Sequence, residues 1–172
     1  ETGQKIGLPI WGSLRMSVSY GKHPFGEDFN GAMWYAHPEL RIKRSADEPN
    51  DNDNPLSFAY EGVQKIRIGV LTELAEMGCE GVNLDYCRYP LTMGYDEPLL
   101  KRFQEVHGED GKNFALDDPK WVQIRQEAHN EFLRKLRRAL DKVGEARGKR
   151  VPISIRLPAT KYADTIPIGS NS

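Results

Sequence analysis

The chain is poor in the features that most quickly assign a function. It has two cysteines, Cys79 and Cys87, and four histidines, His23, His37, His107 and His129, far apart in sequence. That spacing offers no zinc motif, and neither a metal site nor a cofactor is expected. If residues 81–86 form a strand, about 3.3 Å per residue separates the two cysteine Cα atoms by roughly 20 Å. A disulfide needs them within about 7 Å, so free thiols are expected. No charge of either sign dominates: 24 basic residues face 25 acidic ones, for a formal net charge of -1. General attraction to nucleic acid or to an anionic membrane is therefore absent. No apolar run approaches the roughly 20 residues that span a bilayer. The chain starts at Glu1 with no initiator Met and no signal-peptide pattern, so a processed or trimmed start is expected.

What is present reads as an α/β domain. A chain of 172 residues is long enough for a single domain with a sizeable core. Residues 6–18, IGLPIWGSLRMSV, suit one strand or a strand pair with a Pro-Gly interruption. Residues 19–58 are rich in turn formers, with two short elements expected around AMWYAHPEL. So long a connection is expected to lie over the substrate edge of the sheet as its most mobile part. Periodicity returns at residue 60, where Val63, Ile66, Val70, Leu74 and Met77 recur at three- and four-residue steps. This predicts a helix over 60–77, closed by Gly78. The strand GVNLDY (81–86) follows directly. A second helix is predicted from about Asp118 to Ala146, opened by Asp118 and Pro119 and closed by Gly148. Its core face would be Ile124, Ala128, Leu133, Leu136, Leu140 and Val143, and RVPISIRLP would be the next strand. Strands alternating with helices predict a parallel sheet, whose sites collect at the carboxyl ends of the strands.

The stretch GVNLDYCRYP (81–90) ends its strand on Asp85, Tyr86, Arg88 and Tyr89 before Pro90. The other strand ends offer Arg15 and Arg156. Arginines beside a carboxylate favour its ionised form. An ionised aspartate there suits a nucleophile, a stabiliser of positive charge, or an acceptor for sugar hydroxyls. The simpler alternative is an ion pair between Asp85 and Arg88 or Arg156 that only anchors the sheet edge. His37, Pro38 and Glu39 read more readily as a turn than as ligands.

The segments WYAHPELRI, LSFAYEGVQKIRIGVLTELAEMGCEGVNLDYCRYP and ISIRLPA resemble the glycosyl hydrolase-like family 10 proteins. These are bacterial, usually exported, TIM-barrel proteins assigned to carbohydrate cleavage. The likeness is strongest at Gly81, Asp85, Arg88, Tyr89 and Pro90. It implies parallel (β/α) units of the TIM-barrel type, corresponding to the central part of a (β/α)8 barrel, because a complete barrel takes about 250 residues. It also implies a secreted or periplasmic location and a polysaccharide or other glycan as substrate. Asp85 becomes the key catalytic carboxylate. Arg15, Tyr86, Arg88, Tyr89 and Arg156 become substrate-binding residues. Glycoside hydrolysis normally takes two carboxyl groups, and Asp96 and Glu97 are the nearby candidates for the second. The alternatives are a non-catalytic carbohydrate-binding domain, or an inactive barrel fragment that self-associates into a homo-oligomer.

Overall fold

In a computed structural model of the chain, residues 5–22, 30–87 and 91–158 are described. The elements run β1 (Trp11–Arg15), α1 (Ala32–Ala36), a 3-10 turn (Pro38–Leu40) and α2 (Glu61–Glu76). They continue with β2 (Gly81–Asp85), α3 (Glu97–His107), a 3-10 turn (Gly111–Asn113), α4 (Pro119–Arg147) and β3 (Ile153–Arg156). The three strands form one parallel sheet in the order β1-β2-β3.

The expected barrel segment is not what forms. The described residues hold four α-helices and a single three-stranded parallel sheet, an α/β arrangement with too few strands for the central part of a TIM barrel. Closing a barrel filled by side chains takes about eight tilted, staggered strands. Among the described residues β1 and β3 each pair only with β2.

Alternation divides the sheet into two unlike faces, because successive strand residues point to opposite sides. One face carries Leu14, Val82, Leu84, Ile153 and Ile155, which join the hydrophobic core with the helices. From α4 that core takes Trp121, Ile124, Ala128, Phe132, Leu136, Leu140 and Val143. Leu133, predicted for this stripe, is only partly buried against it.

The helix ends follow local chemistry. Asp118 caps α4 by accepting from the Lys120 N–H at 2.8 Å, and Gly148 ends it with φ +64°. In α2 the buried residues are Val63, Gln64, Leu71 and Ala75, while Ile66 and Met77 are exposed. The predicted stripe is thus rotated. Spacing favoured the large side chains, whereas packing admits Gln64 because its polar end is satisfied. Gln64 donates to the Phe58 carbonyl at 2.7 Å and accepts from Lys135 at 3.0 Å.

Of the predicted connection 19–58, residues 30–58 are packed around side chains of their own. Trp34 is buried, donates its indole N–H to the Asn54 carbonyl at 2.9 Å, and carries the Arg41 guanidinium 3.4 Å above its ring. Hydrogen bonds tie this segment to the chain that follows the carboxyl end of β2. Phe58 N–H donates to Thr92 O at 3.0 Å, and Tyr95 N–H donates to Lys43 O at 2.8 Å. Gly94 permits the close approach, since a Cβ there would lie 1.9 Å from the Lys43 carbonyl oxygen. Residues 23–29 of the predicted connection lie outside the described residues.

Candidate functional site on the open sheet face

The face of the sheet away from the helices is polar. Strand register aligns its side chains in rows, with Trp11 beside Gly81, Ser13 beside Asn83 and Ser154, and Arg15 beside Asp85 and Arg156. Purely parallel sheets are normally covered on both sides by apolar layers. Here the second face is built from groups that water or a polar ligand can satisfy.

Three features give this face its chemistry. The middle row is a hydrogen-bonded ladder: Ser13 donates its hydroxyl to Asn83 Oδ1 at 3.1 Å, and Asn83 Nδ2 donates to Ser154 Oγ at 2.6 Å. At the amino end Trp11 lies across Gly81, where a Cβ would fall 2.7 Å from the indole, and it remains 42% exposed. At the carboxyl end Asp85 stands between two arginines. Its Oδ2 is 3.9 Å from Arg156 Nη1, and its Oδ1 accepts from the Cys87 N–H at 3.0 Å, which turns the chain out of the strand. Arg15 contacts the Tyr20 hydroxyl at 3.4 Å. The row therefore sets one guanidinium, that of Arg156, beside the carboxylate, while Arg15 is its neighbour in register with its guanidinium on Tyr20.

Of the predicted site residues that are described, the sheet register places Asp85, Arg15 and Arg156 in one row, and Tyr86, Asp96 and Glu97 lie elsewhere. Tyr86 is fully buried on the helix side of the sheet, sharing a 3.0 Å hydrogen bond with His129 Nε2. Burial pushes its phenol pKa up. A strand residue next to Asp85 must point the other way, so Tyr86 cannot share its ligand. Asp96 is also fully buried. Its Oδ1 accepts from the Lys43 N–H at 3.0 Å, and its Oδ2 accepts from Ser57 Oγ at 2.6 Å and the Gly94 N–H at 2.7 Å. Those bonds fasten two loop segments and occupy both oxygens. Glu97 is exposed in the first turn of α3, and His37 and Glu39 form an exposed pair at 2.9 Å. Arg88 and Tyr89 lie outside the described residues. Cys79 and Cys87 are free thiols, and no group of three or more His, Cys, Asp and Glu among the described residues is placed to hold a metal.

Residue-by-residue reading missed Trp11, Ser13, Tyr20, Asn83 and Ser154. For the strand residues the signal was available. Trp11-Ser13-Arg15, Asn83-Asp85 and Ser154-Arg156 each recur with period two against apolar partners, which marks one polar face. Tyr20 follows the strand and has no such signal.

No protein-family model matches the chain, and no curated protein matches it either. Among the described residues no helix is long and apolar enough to cross a membrane.

Proposed function

We propose that the open sheet face is a carbohydrate-binding surface, with Asp85 as its key carboxylate. The observation that carries this reading is the register-matched set of rows on one face, with Trp11, Ser13, Arg15 and Arg156 exposed and Asn83, Asp85 and Ser154 half-buried. An indole, a hydroxyl–amide ladder and a carboxylate beside a guanidinium follow one another along about 13 Å of strand, at about 3.3 Å per residue. A sugar ring offers an apolar C–H face and a rim of hydroxyls. Trp11 suits the first, and Asn83, the serines and Asp85 suit the second. The resemblance to the glycosyl hydrolase-like family points to the same ligand class.

Binding is favoured over cleavage by a count of carboxyl groups. Glycosidases place two of them about 5 to 5.5 Å apart for retention, or about 6.5 to 9.5 Å for inversion. The three rows hold one carboxylate, Asp85. Asp96 is fully buried in its own hydrogen bonds.

The test is a panel of soluble oligosaccharides, scored in parallel for binding by calorimetry and for release of reducing ends. The expected result is binding without release. Asp85→Asn and Trp11→Ala should each weaken binding about tenfold or more, corresponding to about 1.4 kcal/mol or more. The melting temperature should stay near that of the parent chain. Were Asp85 only an anchor of the sheet edge, Asp85→Asn would lower the melting temperature and leave affinity per folded molecule unchanged. That outcome removes the proposal. Reducing-end release that disappears in Asp85→Asn would instead make the protein a hydrolase.

A further inference from the structure

A second cleft lies away from the sheet face, where α1 meets the first turns of α2. It is a partly open cleft of about 150 Å³, and its walls include Val18, Met33, Trp34, Leu56 and Val63. Arg67 is its one charged lining residue. The one side-chain amide in the lining, Asn30, is already engaged, accepting from the Tyr20 N–H at 3.0 Å and donating to Gly21 O at 2.8 Å.

Among the described arginines that are buried or half-buried, Arg67 stands apart. Each other described arginine that is buried or half-buried has partners. Arg41 donates to Trp34 O and Asn52 O, Arg102 to Glu127 and Glu131, and Arg125 to Leu116 O. Arg137 donates to Asp141 and Val151 O, and Arg147 to Ala75 O and Cys79 O. Arg67 is half-buried yet makes no hydrogen bond or ion pair among the described residues. Burial disfavours its charged form, and no neighbouring carboxylate offsets that. A guanidinium presents five N–H donors in a planar fork that matches a carboxylate. Here that fork stands at the wall of an apolar cleft with no partner among the described residues, its nitrogens within reach of solvent and of a ligand entering the cleft.

We propose that this cleft is a binding site for a small aromatic carboxylate, its ring against Trp34, Met33 and Val63 and its carboxylate on the Arg67 guanidinium. The volume suits such a ligand, since an apolar cavity of about 150 Å³ takes a benzene ring. An aliphatic dicarboxylate would leave one charge without a partner in an apolar wall, which is unfavourable. The site is independent of the glycan reading and shares no residue with it.

Benzoate is the probe, with benzamide as its uncharged counterpart, titrated into the full chain and followed by calorimetry and by amide chemical shifts. Benzoate is expected to bind and to perturb Trp34, Gly31 and Arg67, with benzamide at least about tenfold weaker. Arg67→Gln should lose benzoate affinity by about the same factor. Benzamide binding as well as benzoate would overturn the proposal, as would retention of benzoate affinity in Arg67→Gln. No response of the parent chain at saturating benzoate would overturn it too. Shift mapping on the unaltered chain keeps the test independent of how Arg67→Gln folds. Perturbations centred on Asn83 and Ser154 instead of the cleft would sink the proposal.

Discussion

Asp96→Ala is expected to remove about 4 kcal/mol of folding stability, as breaking a buried, fully hydrogen-bonded charge commonly does. The carboxylate is fully buried and accepts from Lys43, Ser57 and Gly94, joining two segments distant in sequence. It is also the residue that precedes α3, whose first turn uses its backbone carbonyl: the Leu99 and Leu100 N–H groups donate to it at 3.0 and 2.9 Å. Alanine would leave three donors buried without an acceptor. Asn in place of Asp96 keeps the shape but turns one acceptor into a donor facing another donor, and about half the loss is expected. Urea unfolding at neutral pH measures both, and the melting temperature of Asp96→Ala should fall by roughly 10 °C. On the proposed carbohydrate-binding reading, glycan affinity per folded molecule should not change. A stable Asp96→Ala chain that had lost glycan binding would mean that this carboxylate reaches the ligand after all.

Acidification from pH 6.5 to 4 is expected to cost the folded state about 3 kcal/mol through His129 alone. His129 is fully buried on α4 among Tyr86, Phe58 and Phe132, and its Nδ1 has no partner among the described residues. Burial lowers its pKa from 6.5 to about 4. In that interval the unfolded chain holds a proton on this histidine and the folded chain does not. Stability from this group is therefore complete above pH 6.5 and is lost progressively down to about pH 4. Asp96 acts in the opposite sense, because desolvation raises its carboxyl pKa, so the folded state gains from it as the pH falls. The measurement that isolates His129 compares the parent chain with the double variant Tyr86→Phe, His129→Leu. Removing both partners of a buried hydrogen bond is nearly neutral at pH 7. Urea unfolding from pH 7 to 4 should then show the parent losing about 3 kcal/mol more than the double variant. Equal losses in the two chains would show that His129 takes up its proton without unfolding.

Much of the architecture is legible because it is written locally. Asp118 with Pro119 and Gly148 bracket α4, and Gly78 follows α2, since caps depend on a few adjacent residues. One helix was legible but overlooked. Asp96, Glu97 and Pro98 make a helix start, Leu99 and Phe103 lie four apart on its buried face, and Gly108 ends it at φ +71°. Reading Asp96 and Glu97 only as acids obscured their place at a helix entry. In α2 the periodicity was real, yet the buried face was chosen by what it met, including the Phe58 carbonyl that satisfies Gln64.

Legible in the chain alone are the alternation of each strand, the strand–helix order that makes the sheet parallel, and Asp85 with Arg15 and Arg156 at strand ends. These follow from side-chain periods and from the short reach of backbone turns. Long-range packing fixed the rest: three strands among the described residues, a polar second sheet face, and Tyr86 and Asp96 turned inward. Strand closure and burial depend on partners remote along the chain, such as His129 for Tyr86 and Lys43 for Asp96. A buried polar side chain is stable only where such a partner meets it, and no window of neighbouring residues contains that information.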